Sequence, residues 1–171
     1  LLLIALSLLG IVVYITFAFR RIAGPVKFWH WSAAALVALV HDLLIPLGVF
    51  AVLGAYRDIQ VTIPIVVALL TVVGYSINDT VVVFDRVREN IGRKIGNTLE
   101  ETVQYSIKQA LSRSLATSLT TLIVLVAIFF FGGETLKYFA LALIIGVVAG
   151  TYSSLFVAPA ILVQWFGRKN S

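Results

Sequence analysis

Apolar residues run along the chain in five blocks: residues 1–19, 32–55, 61–84, 115–131 and 138–165. A bilayer core about 30 Å thick needs about 20 mostly apolar residues per helix, so each block is predicted to cross a membrane. The breaks between them are equally legible. Arg20 and Arg21 stop the first block, and a loop with Gly24, Pro25 and Lys27 precedes the second. Pro64 sits in the first turn of the third, where its missing N–H costs little. Gly132 and Gly133 end the fourth, and Gly167, Arg168 and Lys169 follow the fifth. The first block has no basic residue ahead of it and no A-x-A-like cleavage site behind it, so it reads as a spanning helix rather than a signal peptide.

Residues 90–114 are too polar to span. Thr98 with Glu101 has the spacing of a capping box, and Leu99, Val103, Ile107, Leu111 and Leu115 then recur every four residues. That pattern predicts an amphipathic cytoplasmic helix over about 98–114, lying along the membrane and running into the fourth span. The expected fold is an all-α polytopic membrane protein, one transmembrane domain over residues 1–171, with five spanning helices and this surface helix.

Composition agrees. Hydrophobic residues make up 60% of the 171, charged residues 12%, and the mean hydropathy is +1.03. A soluble domain is about 45–50% apolar and about 25% charged, so soluble, disordered and coiled-coil classes are excluded. With no cysteine there is no disulfide framework, thiol chemistry or cysteine metal site; no metal or organic cofactor is expected. The absence of methionine and the start inside an apolar run read as a fragment of a longer chain. The net charge of +5 is a matter of placement. Arg20, Arg21 and Lys27 lie after the first block; Arg86, Arg88, Arg93, Lys94, Lys108 and Arg113 lie between the third and fourth; Arg168 and Lys169 lie in the tail. Only Arg57 and Lys137 fall on the other side, and the positive-inside rule makes the crowded side cytoplasmic. The expected surroundings are therefore lipid, not nucleic acid. Trp29, Trp31 and Trp165 lie near span ends, where indoles favour the interface.

Polar residues inside the spans are the candidate chemistry, because an ionised Asp at mid-span costs about 2.5–3.5 kcal/mol on insertion scales. His41 and Asp42 lie about 15 Å into the second span. Pro46, four residues on, cannot bond the Asp42 carbonyl. The pair suits either proton handling or a mutual cap that pins helices. The third span holds Tyr75, Ser76, Asn78, Asp79 and Thr80, then Asp85 and Arg86 at a solvated end. Thr71, Tyr75 and Asn78, with Asp79 beside it, have the spacing of one helix face. Arg113, at the mouth of the fourth span, is the expected partner of Asp79. Thr117 and Thr121 continue its face, with Ser114, Ser118 and Thr120 beside them. A guanidinium nearby would hold Asp79 ionised, and its departure would let Asp79 take a proton. The competing reading of Arg113 is a snorkelling topology charge. Gly146 and Gly150 form a G-x-x-x-G for close helix approach, continued by Ser153 and Ser154.

The run from Gly74 through Tyr75, Ser76, Asn78, Asp79, Thr80, Asp85 and Arg86 to Asn90 resembles the signature of the SecF family, the smaller membrane subunit of the bacterial SecDF export complex. Val40-His41-Asp42, Ser112-Arg113-Ser114 and Gly150-Thr151-Tyr152-Ser153-Ser154 support it. The resemblance covers the chain as the last five of the family's six helices, without the first helix and the extracytoplasmic domain. It implies an RND-superfamily bundle pairing with SecD beside the SecYEG channel, in the bacterial plasma (inner) membrane or a thylakoid membrane, where protons as coupling ion assist preprotein export. It also implies that Asp79 and Arg113 are proton-relay residues, the other relay Asp belonging to SecD.

Three other readings compete: another RND-type exporter of lipids or drugs, a scaffold without ion transport, and an intramembrane aspartyl protease using Asp42 and Asp79. The protease reading lacks a G-x-G-D, since Asp79 follows Ser76-Ile77-Asn78. The charge split makes one prediction. A topology reporter fused after Ser171 is expected in the cytoplasm and one at Gly132-Gly133 outside it; a cytoplasmic signal at Gly132-Gly133 would overturn the five-span reading.

Overall fold

The structure, a computed structural model, describes residues 28–167 and, ahead of them, the helical positions Gly10, Val13, Tyr14 and Phe17. The remainder of the first expected span, the loop with Arg20, Arg21 and Lys27, and the tail with Arg168 and Lys169 lie outside the described residues. The described chain is helical: α1 (Phe28–Arg57), α2 (Ile63–Gly92), α3 (Leu99–Phe131), α4 (Gly133–Tyr152), a π-helical turn (Ser153–Val157) and α5 (Ala158–Gly167). Four stretches among the described residues are long and apolar enough to cross a membrane, the fourth being α4, the π turn and most of α5 together.

Local chemistry accounts for the breaks. Pro64 stands in the first turn of α2, behind the extended Thr62. Thr98 caps α3, its hydroxyl accepting from Glu101 N at 3.2 Å, while Glu101 accepts from Asn97 N at 2.7 Å. The box therefore closes one residue further back than the spacing implies. Gly132 alone separates α3 from α4. The π turn has its own cause. Pro159 has no N–H to give the Leu155 carbonyl and its ring crowds it; one residue earlier, Ala158 N–H bonds Ser153 O across five residues instead.

The surface-helix expectation is corrected. No glycine or proline interrupts residues 99–131, so the amphipathic segment and the fourth span are a single helix. A helix without a break cannot turn from the membrane surface into its core. Val103 is buried as expected, but Thr102, Ser106, Ala110, Ser114 and Ser118 also face inward, while Leu115 is exposed. Ser106 and Gln109 accept from the buried Asn90 amide at 2.8 and 3.1 Å, which ties the start of α3 to the end of α2. Trp31 is a second correction. It is buried edge-on against Phe84, with ring centroids 5.1 Å apart, whereas Trp29 and Trp165 are exposed as an interface position requires.

Two apolar clusters hold the bundle. One joins Trp31, Ala34, Ala38 and Leu39 of α1 to Phe84 and Val87 of α2 and Leu162 of α5. The other joins Phe50 to Ile65, Ala68 and Val72 and to Leu125, Leu143 and Val147. Asp42 on α1, and Thr151, Ser153 and Ser154 towards the end of the chain, fall between the two. What brings α4 this close to α2 is the glycine pair. A Cβ on Gly146 would stand 2.1 Å from a methyl of Val72, and one on Gly150 would stand 3.2 Å from Ser76 Cβ. Val72 and Ser76 are one turn apart, so the G-x-x-x-G sets both spacing and register. Gly146→Ala is accordingly expected to lower stability by about 1–3 kcal/mol through overpacking, and Val72→Ala to recover part of that loss in the double variant. Thermal unfolding of the full-length subunit in detergent measures both.

Candidate functional site

Two carboxylates are buried among the helices. Asp42 on α1 is 0% exposed and Asp79 on α2 is 8% exposed. Asp42 Oδ2 accepts from Ser76 Oγ and from Ser153 Oγ, each at 2.5 Å, and Oδ1 lies 3.0 Å from His41 Nδ1. Asp79 Oδ1 accepts from Ser114 Oγ at 2.6 Å and Oδ2 from Ser154 Oγ at 2.9 Å. Each carboxylate is thus fastened to two other elements, Asp42 to α2 and the π turn, Asp79 to α3 and the π turn. The consecutive serines of the π turn serve one carboxylate each. Beside them, Ser118 and Thr151 share a hydroxyl bond of 2.6 Å between α3 and α4.

Asp79 lies 16 residues from the start of α2 and 13 from its end, and six residues, about 9 Å, ahead of the solvated Asp85. Hydroxyl donors satisfy the lone pairs of a carboxylate without supplying a countercharge. Among the described residues, no ion pair within 4.0 Å reaches Asp79, and the only one reaching Asp42 is with His41.

The structure does not bring Arg113 to Asp79. Arg113 is exposed on the outer side of α3, one residue before Ser114, which is buried and takes the place expected for it. Neighbours on a helix differ by about 100° in direction, and that offset separates them. The same offset corrects the expected face on α2. Thr71, Gly74 and Asn78 are exposed and Tyr75 half-buried, whereas Val72, Ser76, Asp79 and Thr80 point inward. Thr117, Thr120 and Thr121 follow Arg113 outward, and each hydroxyl bonds a carbonyl of its own helix at 2.9–3.0 Å. That arrangement needs no outside partner in an apolar medium. Asp85 and Arg86 form the solvated end of α2, in short-range pairs with Arg88 and Glu89. Gly74 has open space where a side chain would be, so no contact explains it. No group of three or more His, Cys, Asp or Glu able to hold a metal ion occurs among the described residues.

Residues 1–168 match the family model described as protein export membrane protein SecD/SecF, C-terminal. The chain belongs to the SecD/SecF family. It is 47% identical over 162 residues to the protein translocase subunit SecF of Thermobaculum terrenum, covering 95% of this chain and 50% of that protein. It is 44% identical to the SecF of Synechocystis over 95% of this chain and 49% of that one. The chain therefore spans about half the length of the curated relatives it matches. Among solved structures it is similar to SecDF in its super-membrane-facing form, with a TM-score of 0.81 and 42% identity over 92% of this chain and 20% of that one. The family description names a protein export membrane protein and not a protease.

Ser114, Ser153 and Ser154 bond the buried carboxylates, whereas the sequence pattern assigns them to helix approach and to the flank of Arg113. A signal existed: on α3 the buried hydroxyls Thr102, Ser106, Ser114 and Ser118 fall on a four-residue repeat. In a double-mutant cycle read as thermal stability, Asp79→Asn and Ser154→Ala are expected to couple by about 0.5–3 kcal/mol, as contacting residues do. Asp79→Asn and Arg113→Gln are expected to add within about 0.5 kcal/mol.

Proposed function

We propose that this chain is the C-terminal membrane part of a protein-export subunit in which proton binding at Asp79 assists late preprotein translocation. The observation that supports the reading is a buried carboxyl group within a spanning helix whose partners are hydroxyls and not a cation. Taking a proton removes the charge that makes this position costly in lipid, and the two serine hydroxyls have lone pairs as well as hydrogens to offer the neutral form. Arg113 is the relay partner in this reading. Its exposure on α3 leaves it open to a carboxylate outside this chain, and movement of α3 would bring it to Asp79 or away. A guanidinium stays charged, so its approach would expel the proton and its retreat would admit one.

The surroundings follow from the family. A SecD-type partner would cover the outer faces of α2 and α3 beside the SecYEG channel, in the bacterial plasma membrane. The end of α2 and the start of α3 would lie on the cytoplasmic side with the C-terminus.

Asp79→Asn is nearly isosteric, and an amide is cheaper to bury than a carboxylate, so the bundle is expected to assemble. Export in the full complex, normalised to assembled protein, is expected to lose its dependence on the proton gradient. Arg113→Lys is expected to weaken it strongly, because an ammonium lacks the planar fork and can itself deprotonate. Gradient-dependent export by Asp79→Asn at the wild-type rate would sink the relay.

A further inference from the structure

The relay reading uses Asp79 and leaves the more deeply buried carboxylate without a task. Asp42 has no exposure at all, yet the side chain bonded to its Oδ1 reaches the outer face of the bundle: the His41 side chain is 37% exposed. On that face the imidazole stands beside the exposed Tyr152, with ring centroids 6.4 Å apart. Asp42 is thus enclosed, with one titratable group leading outward. The elements around it bring Tyr75 and Asp79 on α2 and Tyr152 on α4 nearest, along the chain, to its bonding partners; α5 carries no titratable residue. No lysine or arginine lies within 4.0 Å of it among the described residues.

We propose that His41 and Asp42 form a second proton-binding site, entered through His41, and that the π turn joins its charge to that of Asp79. The last clause rests on the relay reading of Asp79; the first does not.

The proton balance is direct. In the anionic state the imidazole is neutral, with its proton on Nδ1 and donated to Asp42 Oδ1. A proton arriving at the outward Nε2 makes an imidazolium beside a carboxylate. Passing the Nδ1 proton to Oδ1 then leaves a neutral imidazole, protonated on Nε2, beside a neutral carboxyl. The pair has gained one proton and one positive charge, and the 3.0 Å Nδ1–Oδ1 bond survives with its donor and acceptor exchanged. Ser76 and Ser153 keep donating to Oδ2 throughout. A site that changes charge without moving its heavy atoms needs little reorganisation. Histidine suits the entrance because each ring nitrogen can either donate or accept a proton.

The link to Asp79 is the backbone of the π turn. Ser153 donates to Asp42 and its neighbour Ser154 to Asp79, while Ser76 and Asp79 are three residues apart on α2. A change in the pull of one carboxylate on its serine acts on the peptide that carries the other. π turns are rare, occur mostly as single-turn bulges inside α-helices and frequently lie at functional sites.

The test is pH-difference infrared spectroscopy of the full-length complex in lipid, which reads the carboxyl stretch of protonated Asp side chains. Wild type is expected to show a band that Asp42→Asn abolishes. The asparagine can keep both serine bonds and donate to His41, so the fold is preserved. His41→Gln, which leaves Asp42 and its serines in place, is expected to shift the midpoint of that same band and serves if Asp42→Asn fails to assemble. Ser153→Ala is expected to change the midpoint of the band that Asp79→Asn removes. Spectra of Asp42→Asn that superimpose on wild type, or an unmoved midpoint in His41→Gln, would overturn the second site. An unmoved Asp79 band in Ser153→Ala would overturn the link. Failure of the relay reading is separate: it appears as gradient-dependent export in Asp79→Asn and leaves the Asp42 band untouched.

Discussion

Two carboxylates cannot be enclosed in an apolar bundle unless something bonds them, and that requirement organises this structure. The price of burial falls on the neighbouring helices, which must present hydroxyls at fixed places: Ser76 and Ser153 to Asp42, Ser114 and Ser154 to Asp79. The serines in turn fix how the helices meet. For Ser76 and Ser153 to reach one oxygen atom, α4 must lie almost on α2, and Gly146 and Gly150 permit it. Ser153 and Ser154, adjacent in the π turn that accommodates the missing N–H of Pro159, serve one carboxylate each. Glycines, proline and serines in the last span thus act together on two side chains of the first two described helices.

The choice of serine over a cation has a functional consequence. An arginine locked onto Asp79 would hold it ionised. Hydroxyls accept and donate, so they bond the charged and the neutral carboxyl alike. The same logic extends to Asp42, where His41 can exchange donor and acceptor roles without a change of partner. A bundle built this way tolerates a change of protonation at its centre. Arg113 remains outside, exposed on α3, and in the proposed relay it acts by approach rather than by permanent contact.

Much of this was legible in the sequence. Four of the five expected spanning helices were, because about 20 apolar residues in a row have few other uses. So were Asp42 and Asp79, because a carboxylate inside such a run has no inexpensive explanation. Pro64, Thr98 and Gly132 marked helix ends correctly because capping is local chemistry. What could not be read was rotation. Asn78 and Asp79 are adjacent, as are Arg113 and Ser114, and in each pair one residue faces out and the other in. Periodicity offered the face through Thr71, Tyr75 and Asn78 equally well, since Val72, Ser76 and Asp79 fit the same spacing. Only the glycines of α4, bearing on Val72 and Ser76, decide between them. The amphipathic segment failed for a related reason. Leu99, Val103, Ile107 and Leu111 do pack, yet beside them a second buried stripe is made of Thr102, Ser106 and Ser114, small hydroxyl residues that a hydrophobicity pattern scores as polar.

The central claim is that these centres bind and release protons as part of a path across the membrane. Proton flux through the full-length complex, reconstituted in liposomes with a pH-sensitive dye inside and an imposed pH gradient, addresses it most directly. The account predicts equilibration faster than in protein-free liposomes, and no faster than in them when Asp79 is replaced by Asn. Vesicles containing the wild-type complex that stay as tight as protein-free vesicles would contradict it.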